Sequence, residues 1–290
     1  MTAQNNRLGI LLMVATVLCY SVQDGLTRFL AGEYSVVMVV MIRYWFFAAF
    51  FHALALRRPG GLASVRTRQW RLHGARATLH IAEILVIVAS FVAIGLVNTH
   101  AVFAVCPLII AALAGPVLGE RIGLARWIAI GAGFAGIVVI LRPGSDLFTP
   151  LAALPLAAAT MFAGYSLLTR LATRTEEPFI AFFWSGILGA ILATAAGIWF
   201  LEPMRLRDWA LTVANGLVAI LSNWLMIRCY AVAEAGAVQP FAYLQLVFVA
   251  VMGVTVFGET VEPATILGAA IVTGAGLFTL LWTEGQRRRR

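Results

Sequence analysis

The feature that most constrains this chain is a succession of apolar runs, each close to the length a helix needs to cross a bilayer. Segmenting at charges, prolines and glycine turns gives ten, near 8 to 29, 34 to 56, 74 to 96, 99 to 118, 122 to 141, 149 to 171, 179 to 200, 208 to 230, 237 to 257 and 263 to 283. About 20 residues at roughly 1.5 Å each cover the hydrocarbon core. With 61% of 290 residues apolar and 12% charged, few are left for anything else. Hydrocarbon offers backbone donors no water, so runs of this length fold as helices. The expected fold class is an all-α integral membrane protein of ten transmembrane helices in a single domain. The stretch from Leu8 is too long for a signal-peptide core, and no small-residue cleavage site follows it before Gln23 and Asp24. It is expected to remain as the first helix.

All 21 side chains counted as Lys or Arg are arginine. With the N-terminus inside, the inner loops and helix ends collect Arg7, Arg57, Arg58, Arg66, Arg68, Arg71, Arg76, Arg121, Arg126, Arg170, Arg174, Arg228 and the terminal run Arg287 to Arg290. The outer side receives Arg28, Arg142, Arg205 and Arg207, and Arg43 lies within the second helix. That asymmetry predicts both termini in the cytoplasm, with residues 284–290 as a basic tail. The lipid bilayer and its anionic headgroups are therefore the expected partner of these charges, not nucleic acid. Cys19, Cys106 and Cys229 are isolated in apolar stretches and read as free thiols.

Two segments repeat the same pattern. Residues 113–140, LAGPVLGE followed by a glycine-rich run, are matched by VMGVTVFGE and a second glycine-rich run, so that Gly119 and Glu120 correspond to Gly258 and Glu259, 139 positions later. A fainter echo sets Thr27 and Arg28 against Thr169 and Arg170. The repeats run over 8–141 and 149–283. A unit of five helices is odd, so its second copy enters the membrane inverted, an arrangement used by secondary transporters to gate a midplane site.

The five-helix unit with GE closing its fourth helix and a glycine-rich fifth resembles the EamA repeat of the drug/metabolite transporter superfamily, over nearly the whole chain. Pro107, Gly119, Glu120 and Trp127 carry the resemblance, and Arg43 in MIRYWF resembles the arginine of the second helix. The second copy departs from it at Leu246, where a proline is usual, and at Ser185, roughly the repeat mate of Arg43. The resemblance implies two inverted five-helix repeats around a central cavity in a bacterial inner membrane. The implied activity is export of small metabolites, with the amino-acid-exporting branch giving amino acids, aromatic or large apolar ones among them, or similar small metabolites as the expected cargo.

Ionisable groups inside membrane helices are costly and usually face a partner or a wet cavity. Arg43 and Glu83 both fall near mid-membrane and are expected to form a structural ion pair. His73, Arg76, His80 and Glu83 recur at helical spacing and line one stripe of the third helix. Either His80 and Glu83 border the cavity, or Arg43 and Glu83 hold helices together while His73 and Arg76 merely reach the inner interface. Asp24, four residues before Arg28, is placed for an i to i+4 pair near the outer end, where it reads as an interfacial anchor, with proton coupling through Asp24 as the alternative. Gln23, Tyr165, Asn223, Gln239, Tyr243 and Gln245, with the flat surfaces of Tyr20, Trp184 and Trp224, form the remaining candidate substrate-binding set. The alternative reading makes these residues packing glue and aromatic belts.

No P-loop, HExxH, GxSxG or acidic magnesium motif occurs, so no catalytic residue, metal or cofactor is expected. The expected activity is secondary transport by alternating access, with His80 or Glu83 as the titrating group if protons are coupled. The competing classes are a membrane-embedded enzyme and a non-transporting or channel-like subunit. Ten helices suffice for a monomer; the glycine-rich fifth and tenth helices leave a dimer open.

Overall fold

The structure, a computed structural model, describes residues 6–119, 123–142, 150–233 and 238–288. Its α-helices are α1 (Asn6–Glu33), α2 (Val36–Leu56), α3 (Trp70–Ile94), α4 (Leu96–Phe103), α5 (Cys106–Leu118), α6 (Leu124–Leu141), α7 (Ala153–Ala172), α8 (Pro178–Gly197), α9 (Leu206–Val232), α10 (Leu244–Phe257) and α11 (Pro263–Arg288). Eight apolar spans in the described residues are long enough to cross a bilayer, and Trp127–Leu141 and Pro263–Thr279 are two shorter apolar helical stretches. The chain is an all-α membrane protein.

Two spans are interrupted. The fourth divides at Ala104 and Val105 into α4 and α5, because Pro107 has no N–H to bond backwards and so favours the first turn of a new helix. The ninth opens as a 3₁₀ turn, Gln239–Tyr243, with Pro240 in its first positions, before α10 begins at Leu244. The interruptions fall at equivalent places, since Val105 and Leu244 are 139 residues apart, like Gly119 and Gly258. Both glycines are left-handed, at φ 76° and 63°, and end α5 and α10. The α3–α4 boundary, expected near Asn98, lies at Gly95. Its φ of 88° and ψ of 164° belong to a region essentially reserved for glycine. Glu120 and Arg121, expected to turn the chain after the fourth span, lie outside the described residues.

The helix contacts are arranged in pairs. α1 lies along α9 as α7 lies along α3; α1 touches α10 as α7 touches α5; α2 meets α9 as α8 meets α3. α2 with α8 and α6 with α11 are paired with themselves. The most extensive of these contacts run between the two sequence repeats, so the repeats interleave and are not separate lobes. Lipid gives helices no hydrophobic reason to associate, so close backbone approach and polar ties must do so. At α6 and α11 a Cβ on Gly136 would lie 2.9 Å from the carbonyl oxygen of Gly268, so the glycine-rich pair packs within this chain.

Candidate functional site

The α3 stripe splits into two groups. At its N-terminal end Arg76 is completely buried. Its Nε donates to Thr169 Oγ1 at 3.0 Å, one terminal nitrogen to His73 Nδ1 at 2.9 Å and the Ala181 carbonyl at 3.3 Å, and the other to Ser185 Oγ at 3.2 Å. A guanidinium can only donate, so His73 Nδ1 must accept, and its Nε2 carries the proton given to Glu176 at 2.8 Å. This fixes His73 as the neutral tautomer. Glu176 also accepts from Thr67 Oγ1 at 2.6 Å. Burial alone would push the Glu176 carboxyl up, but the hydrogen bonds from Thr67 and His73 outweigh it and hold the carboxyl below its usual range. Arg76 therefore ties α3 to α7 and α8, and does not simply reach the interface as one sequence reading had it.

One turn further along α3 lies the second group. The His80 ring stacks on Tyr165 with centroids 4.2 Å apart and planes 9° from parallel, and Phe162 and Tyr44 complete the surround at 6.3 and 6.4 Å. Phe103 of α4 leans on Phe162 at 5.7 Å. His80 Nδ1 is 3.2 Å from the buried carboxylate of Glu83, in an orientation that makes no hydrogen bond. The Arg76 guanidinium sits 5.3 Å from the Tyr165 centroid. Four helices thus bring flat π surfaces, one imidazole and one carboxylate together at the middle of the third span. The expected Arg43–Glu83 pair is not formed: Glu83 turns to His80, while Arg43, half-buried, lies on the neighbouring helix beside Tyr44.

A third group joins α1 to the fourth and ninth spans. Asp24 Oδ2 takes His100 Nε2 at 3.1 Å and the amide of Gln245 at 3.2 Å. The expected Asp24–Arg28 pair is replaced by this contact, because Arg28 pairs with Glu259 and lies over the Phe257 ring at 4.2 Å. Glu259 in turn accepts the backbone N–H groups of Leu96 and Val97 at 2.7 and 2.9 Å, capping α4. The close fit explains Gly95: a Cβ there would lie 2.9 Å from the Glu259 carboxylate.

The remaining candidates divide. Gln23 is buried and accepts from Ser222 at 3.5 Å across α1 and α9, and Tyr20 is half-buried a turn away. Tyr243 is half-buried with its hydroxyl against Gly276, where any Cβ would collide with it. Asn223 spends its amide on the Ala219 carbonyl of its own helix at 2.8 Å. Trp184 leaves the site: its indole donates to the Val65 carbonyl at 2.8 Å and packs on Trp70, pinning the α2–α3 connection. Trp224 also leaves, being exposed on α9 with Arg228 5.2 Å from its ring. The Gln239 side chain lies outside the described residues. Sequence reasoning missed His100 altogether, although a histidine inside an apolar run is the signal that singled out His80. It also missed Tyr44 and Phe162, whose importance depends only on which helices meet.

The chain matches the EamA-like transporter family over residues 7–142 and again over 150–281. It is 32% identical to a riboflavin transporter of Rhizobium johnstonii over 97% of this chain and 93% of that one. It is 30% identical to a riboflavin transporter of Vibrio cholerae, covering 93% and 89%. A solved crystal structure superposes with a TM-score of 0.64 at 18% identity, covering 94% of this chain and 98% of its own, and so shares the fold.

Proposed function

Because this chain belongs to the EamA-like transporter family, and is therefore a membrane transporter of small metabolites and not an enzyme, we propose that its cargo is riboflavin or a flat heteroaromatic solute like it. The observation that carries this reading is the near-parallel His80–Tyr165 stack beside the buried Glu83 carboxylate. A flavin ring is planar, offers an imide N–H to a carboxylate and carbonyls to imidazole or phenol donors, and gains dispersion from aromatic faces. The full-length similarity to two riboflavin transporters supports the same class. In this reading the amino-acid cargo expected from sequence is replaced by a larger flat one, and the direction of flux follows the prevailing gradients. We also place both termini in the cytoplasm, since the arginines of the α2–α3 connection gather at that end.

The interleaved repeats change the expected motion. The groups exchanged by the pseudo-two-fold are α1, α9 and α10 on one side and α7, α3 and α4–α5 on the other, so alternating access works between these mixed bundles, not between sequence halves. Purified protein in liposomes should catalyse riboflavin counterflow above empty vesicles, with leucine and phenylalanine failing to compete. Tyr165→Ala should weaken apparent affinity by about tenfold or more, the loss of one stacking partner, whereas Tyr165→Phe keeps most of it. Counterflow no faster than in empty vesicles sinks the cargo assignment.

A further inference from the structure

The Asp24–His100 contact carries a proton that transport of a neutral flavin does not require, and we propose that it is the proton-coupling site of this transporter. The inference follows from donor and acceptor roles. His100 Nδ1 is 3.1 Å from the Leu96 carbonyl, which can only accept, so Nδ1 holds a hydrogen. In a neutral imidazole Nε2 is then a bare lone pair. It faces Asp24 Oδ2 at 3.1 Å, and an ionised carboxylate is also acceptor-only. Two lone pairs at hydrogen-bond distance repel, so one further proton lies between them, on Nε2 or on Oδ2. The pair is neutral with that proton and singly negative without it.

The surroundings fit a proton that is held and released. The side chains of His100 and Asp24 are 10% and 16% exposed, so the charge of the bare pair is poorly hydrated but not sealed off. Gln245 of α10 donates to the same Asp24 oxygen, and Phe91 of α3 stacks on the His100 ring at 5.2 Å. α9 presents to α1 the neutral groups Asn215 and Ser222. Arg28, one turn along α1 from Asp24, and Glu259, which bonds the backbone one turn before His100, form an ion pair with each other. The groups touching the pair are therefore uncharged, and its charge is set by its own proton.

Loss of the proton would set the two acceptors against each other and loosen α1 from α4, while Gln245 of α10 still donates to the Asp24 carboxylate. The conformation described here is the loaded one, and a proton that binds one conformation better than the other biases the exchange between them. One proton is taken from one side and delivered to the other in each cycle. His80 and Glu83, the titrating groups expected from sequence, then serve the cargo.

This inference rests on the transporter reading, and the test separates the two. Proteoliposomes carrying wild type, Asp24→Asn or His100→Gln are assayed for riboflavin counterflow at equal pH and for net riboflavin flux driven by a pH gradient of either sign. The expected result is that wild type accumulates riboflavin under one sign of the gradient, while both variants lose accumulation and keep counterflow near the wild-type rate. Gradient-driven accumulation surviving in Asp24→Asn, or absent from a wild type that shows counterflow, overturns the proposal. If counterflow fails in wild type, the cargo assignment has failed instead. The site is then judged by infrared difference titration of the purified proteins: a titrating carboxyl or imidazole signal lost in Asp24→Asn supports it, and identical spectra overturn it.

Discussion

The α3–α7 and α1–α9 seams occupy equivalent places in the two repeats but are built from different chemistry. Thr169 and Thr27 correspond, and each bonds across its seam, to Arg76 at 3.0 Å and to Asn215 at 3.1 Å. Arg76 and Asn215 are 139 residues apart, like Gly119 and Gly258. One position thus holds a buried cation with four partners, and its mate a neutral amide. Near the α7 end of the first seam His73 and Glu176 continue the network at 2.8 Å; near the matching end of the second Tyr34 and Asp208 do so at 2.6 Å. A duplicated fold keeps the geometry of a seam while its energetics diverge. A guanidinium with every partner in place locks a seam; an amide holds it with less to lose when it opens.

The largest effect should come from Arg76→Ala. Removing the cation leaves His73, Thr169, the Ala181 carbonyl and Ser185 without their shared donor, a loss of about 3 kcal/mol or more by analogy with other broken buried charge networks. Asn215→Ala removes one hydrogen-bonded pair and should cost about 1 kcal/mol. Thermal unfolding in detergent, read by size-exclusion fluorescence, measures both. Equal costs would erase the distinction between the seams.

A smaller effect separates them by pH. The Glu176 carboxyl is held below its ordinary range, so its contribution to the folded state is complete above the unfolded value of about 4.3 and fades as pH falls through the lower folded one. Wild-type protein should therefore lose thermal stability on acidification across that window, and Glu176→Gln should flatten the dependence. Glu176 lies at the membrane surface, so the change is expected to be modest beside that of Arg76→Ala. An unchanged acid profile in Glu176→Gln would show that the network does not depend on its carboxylate.

Much of this architecture was legible in the residues, and the limit has a physical cause. Apolar length gave the spans, because lipid leaves the backbone no alternative to internal hydrogen bonding. The GE repeat pointed to the duplication, and in the second copy the structure gives it a reason: a left-handed glycine ends the helix and the following glutamate reaches the N-terminus of α4. The cost of burying polarity gave His80 and Glu83 on the α3 stripe, and Tyr165 on α7, as site candidates. Partner choice could not be read that way. Asp24 and Arg28 are one turn apart, yet each bonds to a distant span, and Arg43 and Glu83 share a depth without sharing a contact. Depth follows from counting residues along one helix, whereas contact depends on the rotation of two helices about their axes, which a single apolar pattern leaves open.

The smallest effect tests that last distinction on α9 itself. Trp224 and Ser222 are two residues apart, but Ser222 is buried against Gln23 while Trp224 is 43% exposed with its ring turned to Arg228. In a membrane protein the exposed face of a span is the lipid face, where a tryptophan has apolar surroundings already and gains little from the fold. Trp224→Ala should therefore shift stability by less than about 0.5 kcal/mol and leave riboflavin counterflow unchanged. Ser222→Leu, which forces a larger apolar side chain into the α1–α9 seam, should be clearly destabilising in the same assay. If Trp224→Ala abolished flux while remaining folded, the tryptophan would have to turn inward during the cycle, and α9 would rotate against α1 across the weaker of the two seams.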